Sequence, residues 1–144
     1  NSYYPCGDGR SIRLIRGRTL TQGYPYYTKF GFRPLQERNI KRMDKNYQII
    51  SKAKVKDIDL KHITKSELKK EQVYSKYRKE YHQIRDLIKS NQESSMMDFL
   101  KLIMDKYCSL FSYIYDKIYE QLGLKSYTSK EFYLKLLDIT KRKH

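Results

Sequence analysis

Arginine recurs at Arg10, Arg13, Arg16 and Arg18, and the same segment continues with Tyr24, Tyr26, Tyr27, Lys29 and Arg33. Guanidinium and ammonium groups at this density contact phosphates, and tyrosine rings interleaved among them stack on unpaired bases. Arg10, Arg13, Arg16, Arg18, Tyr24, Tyr26, Lys29 and Arg33 are therefore the candidate nucleic-acid-binding residues. The same residue types also build a solvated basic strand beside a buried tyrosine cluster, so the pattern has a plain structural reading as well. Arg16-Gly17-Arg18 is a single RGG-like unit, and no RNP motif, KH loop, zinc finger or basic zipper accompanies it. A second basic set, Lys69, Lys70, Lys76, Lys79, Arg85 and Lys89, reads as the solvated face of a helix, or as a contact for phosphate or an acidic partner.

Other chemistry has little to work with. His62, His82 and His144 have no metal-ligand spacing with Cys6 or Cys108, so no metal is expected. No Gly-x-Ser-x-Gly, Walker A or Cys-with-His pattern is present. The carboxylates are outnumbered and often sit beside Lys, which leaves no candidate acid/base pair. Two cysteines make no disulfide framework, so both are expected as reduced thiols, Cys108 inside a helix, and a reducing intracellular compartment follows.

Tyr27-Thr28-Lys29-Phe30-Gly31-Phe32 has the form Tyr-x-Lys-x-Gly-Phe. It resembles the late segment of the GCN5-related N-acetyltransferases, over about residues 11–35. That resemblance implies a strand at Ser11 to Ile15, a helix carrying Tyr27, and a strand at Phe32 to Leu35. It also implies acetyl-CoA as cofactor, with Tyr27 as the general acid that protonates the coenzyme A thiolate while an amine attacks the thioester. The family's pyrophosphate loop, Gln/Arg-x-x-Gly-x-Gly/Ala opening a helix, has no counterpart: the one Gly-x-Gly is Gly7-Asp8-Gly9, Tyr4 stands where Gln or Arg is expected, and Asp8 repels phosphate. The coenzyme-binding half of such a fold is then missing, or lies upstream of Asn1.

The charge balance narrows the partner. Lys plus Arg is 31 and Asp plus Glu is 16 over 144 residues, a net charge of +15. Residues 1–56 hold 13 basic and 3 acidic side chains, a net of +10, and residues 57–144 hold 18 and 13, a net of +5. Such an excess raises affinity for polyanions, although a composition rich in Lys, Tyr, Ile and Asn is also what an AT-rich genome encodes. With 14% aromatic residues, including 15 Tyr, the chain is not of disordered composition. No run of 18 apolar residues offers a transmembrane segment, and the first residues carry no signal-peptide pattern. A first residue other than Met fits a processed form or an excised domain.

The elements that would position these residues change character along the chain. Residues 1–10 read as a loop, Ser11 to Arg16 as a short strand, and residues 18–25 as a turn. Residues 36–46 read as an exposed helix or ordered loop, Gln48 to Val55 as a second strand, and Asp57 to Ile63 as a short helix capped by Asp57. From Thr64, where Thr-x-x-Glu forms a capping box, the spacing predicts helices. The first carries Val73, Tyr77, Tyr81, Ile84 and Ile88. The second runs from about Ser95 to Leu122 with a stripe of Met96, Leu100, Ile103, Tyr107, Leu110, Ile114 and Ile118, closed by Gly123. A third follows another capping box at Thr128 to Glu131 and carries Phe132, Tyr133, Leu136, Leu137 and Ile139.

The expected fold is α+β and mainly helical: a short basic β-containing region, 1–63, packed against an antiparallel three-helix unit, 64–144. The leading functional reading is a non-enzymatic binding module for a polyanion, most simply nucleic acid. The alternatives are an acetyltransferase-like domain and an assembly protein that meets another copy, or a partner protein, through the apolar helix 95–122.

Overall fold

The computed structural model describes residues 3–25, 28, 31–127 and 132–134. The chain starts with a hairpin, β1 (Tyr3–Pro5) paired antiparallel with β2 (Ser11–Arg13), Tyr4 opposite Ile12. Its turn needs positive φ at Gly7 and Gly9 (94° and 90°), which only glycine adopts without strain. Asp8 between them accepts from the Arg10 amide (3.0 Å), closing the turn on itself.

The chain then enters α1 (Leu14–Gln22) without a break. Ser11 to Arg16 was expected to be all strand and residues 18–25 a turn; instead the strand ends at Arg13. Gly, Thr and β-branched residues are poor helix formers, and α1 exists because almost its whole circumference is buried: Leu14, Ile15, Gly17, Thr19, Leu20 and Thr21. Thr19 and Thr21 bond back to the carbonyls of Ile15 (2.6 Å) and Gly17 (2.9 Å), so their hydroxyls are satisfied inside the core. Gly23, at φ 87°, stops the helix. Gly17 lets β2 and α1 close on each other, since a Cβ there would lie 2.7 Å from Cγ2 of the fully buried Ile12. Gly17→Ala is therefore expected to destabilise the protein by about 1–3 kcal/mol, the usual range for overpacking, despite alanine's better helix propensity. An unchanged or raised urea midpoint would show that Ile12 yields.

Strand β3 (Phe32–Pro34) pairs antiparallel with β4 (Phe132–Leu134) in a second two-stranded sheet. Residues 132–134 were expected in a third helix; they are extended because they pair with residues 32–34. The rest of that expected helix lies outside the described residues. Helix α2 (Glu37–Lys52) supplies the helix that was one of the two readings of 36–46 and replaces most of the expected strand at 48–55. Asn39, Met43, Asn46 and Ile50 form its buried line, so the helical period continues to Lys52. Extended backbone begins only at Ala53. Lys54 bridges Ser95, the Val55 amide donates to the Ser94 carbonyl (3.0 Å), and the Met96 amide donates to the Ala53 carbonyl (2.8 Å).

Helix α3 (Leu60–Lys70) is capped by Asp59, which accepts from the His62 amide (3.1 Å). Asp57 instead accepts from the Lys54 amide (2.8 Å) in the preceding turn. Thr64, read as an N-cap, is interior to α3 and donates to the Leu60 carbonyl (2.7 Å). The long helix expected through residue 89 is interrupted at residues 71–77, with Gln72 at φ 60°, before α4 (Arg78–Ser90). The second long helix is likewise two: α5 (Met96–Lys106), capped by Ser95, and α6 (Cys108–Gln121), with Tyr107 out of helical geometry at φ −130°, ψ 48°.

The class is α+β and mainly helical, six helices and four short strands among the described residues. One core cluster draws Ile12, Leu20 and Ile50 together with Leu68, Ile84, Leu100, Phe111 and Ile118, so residues 1–63 and 64–144 share it. A smaller cluster of Ile15, Met43 and Tyr127 lies against Tyr24.

Candidate nucleic-acid interface

Most arginines of the N-terminal segment are engaged within the chain, two of them, Arg10 and Arg16, on α6. Arg10 donates from Nε to Ser112 Oγ (2.9 Å), and its guanidinium lies 3.7 Å from the centre of the Tyr113 ring. Arg16 donates to Asp116 (2.8 Å) and Ser126 Oγ (3.0 Å) and lies 5.0 Å from the Tyr119 ring centre. Arg18 sits over the Tyr4 ring at 5.2 Å. Arg33 donates to the Thr28 carbonyl (3.0 Å). Guanidinium planes suit this use, because they stack on aromatic faces and still donate in plane. Arg13 is the exception: its amide donates to the Tyr115 hydroxyl (3.2 Å) while its side chain is exposed.

Tyr24, expected as a base stacker, already has a ring against it. It stacks on Tyr47 with centroids 4.6 Å apart and planes 9° apart. Partial burial, with Asp44 nearby, raises its phenol above the ordinary range. Tyr26, Tyr27 and Lys29 lie outside the described residues, and with them the proposed general acid. The described members of the set picked out in the sequence therefore do not come together as one exposed surface. Arg10 and Arg16 fasten the hairpin and α1 to α6, and Arg18 lies over Tyr4 of β1.

The two cysteines are joined, which corrects the expectation of reduced thiols. Cys6 in the hairpin turn and Cys108 at the start of α6 form a disulfide across 102 residues of sequence. The non-helical Tyr107 starts α6 at the point where the hairpin lies. Two cysteines so far apart give no sequence signal beyond their even number. Around the bond, Ser109 donates from Oγ to Asp8 Oδ2, and this bond, with the Arg10 amide, holds the Asp8 carboxyl below its ordinary range.

A second anchor closes the other end of α6. Asn46, fully buried, donates to the Tyr119 hydroxyl (3.1 Å) and to the Lys125 carbonyl (2.9 Å) and accepts from the Lys125 amide (2.7 Å). Tyr119 in turn donates to the Lys125 carbonyl (2.6 Å). Burial pushes the Tyr119 phenol up to about 12. An acid whose pKa is raised by folding stabilises the fold fully below its unfolded pKa, near 10, and that contribution is lost as pH rises toward the folded value. Stability is thus expected to fall by about 2 kcal/mol between pH 9 and pH 12 from this group alone, since each tenfold difference in proton affinity between folded and unfolded chain is worth roughly 1.4 kcal/mol. Urea melts of the parent and Tyr119→Phe at pH 9 and at higher pH check this. The parent should lose more than the variant over the same interval, and equal losses would remove Tyr119 as the cause.

The exposed cations lie elsewhere. On α2, Arg38, Lys41, Lys45 and Lys52 recur at helical spacing and are all exposed. They form one stripe opposite the buried line of Asn39, Met43, Asn46 and Ile50. None has an ion pair among the described residues. Fourteen residues separate the ends of the stripe, about 21 Å of helix. Arg42 borders it and donates to the Ser126 carbonyl (3.3 Å). Asp44 and Glu37 border the other margin. The later basic set does not form one face: Lys69 and Lys70 end α3, Lys76 lies in the break, and Lys79, Arg85 and Lys89 belong to α4.

The spacing that marks the α2 stripe is present in the sequence, but reading 48–55 as a strand cut it short before Lys52. The apolar stripe expected to meet another copy, Met96 to Ile118, is buried in this chain's own core. No helix among the described residues is long and apolar enough to cross a membrane, and no metal-holding group of His, Cys, Asp and Glu occurs among them. No protein-family model, no curated protein and no solved structure matches the chain.

Proposed function

We propose that the chain is a non-enzymatic binding module for a polyanion, nucleic acid in particular, and that it binds through the outward stripe of α2. The observation that supports this is the row of Arg38, Lys41, Lys45 and Lys52 on one solvent face, none of them ion-paired among the described residues. A line of cations along a helix matches a line of phosphates, because every neutralised phosphate releases a condensed counterion. An α-helix also fits the major groove of a duplex, which is roughly 12 Å wide. Arg13 adds an exposed guanidinium at the start of α1. Arg10, Arg16 and Arg18 support the module by fastening the hairpin and α1 in place, and do not themselves bind.

Fluorescence anisotropy with a short duplex over a series of salt concentrations tests the reading. A steep fall of affinity with salt supports it. Absence of binding at low salt, or binding indifferent to salt, overturns it.

A further inference from the structure

The disulfide borders an open cleft of about 420 Å³, lined by Asp8, Lys76, Glu80, Lys106 and Ser109 as well as by the two cysteines. Both cysteines are only half-buried, so a reducing agent reaches the sulfurs from solvent without the core opening. The segment held by the bond is thinly attached otherwise. Gly7, Asp8 and Gly9 of the turn are exposed, whereas Tyr4 in β1 packs against the core opposite Ile12. Apart from the disulfide, the hairpin tip is tied to α6 by the Ser109–Asp8 hydrogen bond and by Arg10 on Ser112 and Tyr113. The first fully buried side chain after the turn is Ile12.

We propose that Cys6–Cys108 is a redox latch on the hairpin. When it is reduced, the turn residues 6–10 lift off α6 between β1 and β2, while the paired strands and the core stay folded. The reductant is a dithiol of the thioredoxin class. Its thiolate attacks one sulfur, the other cysteine leaves as a thiolate and takes up a proton, and the second reductant thiol resolves the mixed disulfide. The protein gains two electrons and two protons as two thiols, and the reductant becomes a disulfide. Opening withdraws Arg10 from the Tyr113 face and leaves its guanidinium in water.

The native protein is incubated with thioredoxin and its reducing system, the thiols are trapped by alkylation, and oxidised and reduced forms are then compared by limited trypsin digestion. The expected result is alkylation of both cysteines without denaturant, cleavage after Arg10 at least tenfold faster in the reduced form, and equal cleavage elsewhere in residues 14–127. Cys6→Ser should reproduce the reduced pattern without reductant. Three results overturn the latch: a bond that resists the reductant until the chain is denatured, unchanged cleavage after Arg10 in the reduced form, or cleavage that accelerates throughout the chain together.

Discussion

Replacing both Cys6 and Cys108 by serine should lower the unfolding free energy by about 3–5 kcal/mol and the melting temperature by roughly 10 °C. The bond closes a loop across 102 residues, so its main action is on the unfolded chain, whose conformational freedom it restricts. In the chain-entropy account a loop of this size is worth between 4 and 5 kcal/mol, roughly, before native strain is counted. The folded form of the variant should persist, because the buried side chains of Ile12, Leu14 and Ile15 still hold the N-terminal segment on the core. Equilibrium urea unfolding checks the prediction in two ways. The midpoint should fall, and the slope with denaturant should rise, since an unlinked unfolded chain exposes more surface. A loss below about 1 kcal/mol would mean that the hairpin is held as tightly by its other contacts in the unfolded ensemble as by the sulfur bridge.

Changing Arg38, Lys41, Lys45 and Lys52 together to alanine should weaken nucleic-acid binding at least a hundredfold at low salt and flatten its salt dependence. Four lost phosphate contacts reduce the slope of log affinity against log salt by about 3.6 on a duplex. The four side chains are exposed, so the melting temperature should change by no more than a few degrees, as for ordinary surface substitutions. Arg10→Ala with Arg16→Ala is expected to give the opposite result. Those guanidiniums have internal partners, so their loss should cost about 1–3 kcal/mol of stability and leave binding nearly unchanged. If instead the Arg10 and Arg16 pair abolishes binding while the α2 variant binds normally, the interface lies on the N-terminal segment and the assignment to α2 is wrong.

The mainly helical class was legible from the apolar stripes of residues 64–122, and the stop at Gly123 was legible because only glycine fits the left-handed position there. Breaks inside the helical runs were not. Neither Tyr107 nor residues 71–77 holds a proline or glycine, and a one-residue interruption leaves the stripe of buried residues almost in register. Thr64 shows why a capping pattern misleads: Asp59, five residues earlier, had already capped the helix, and a threonine in a buried helix satisfies its hydroxyl on its own backbone. Helix α1 was hidden for a different reason. Its residues disfavour a helix in isolation, and only partners distant in sequence, α5 and α6, make it one.

The candidate site was half legible. Composition located an excess of positive charge in residues 1–56, and that excess is there. Composition does not reveal which guanidiniums are already matched. Arg10 and Arg16 meet two serines, an aspartate and two tyrosines roughly a hundred residues later, and no local pattern announces such pairings.

The packing of α1 against α5 and α6 also sets an order of events during synthesis. At roughly 5–20 residues per second, a ribosome needs on the order of 5–20 s to extend the chain from Cys6 to Cys108. Through that interval Ile12, Leu14, Ile15 and Leu20 have been made, but the helices that cover them have not. Long-range closure of this kind is slow and leaves apolar surface open to other chains. The hairpin and α1, made before the helices that cover them, are therefore among the last elements to be buried, and a nascent chain halted before α6 would present them as a binding site for chaperones.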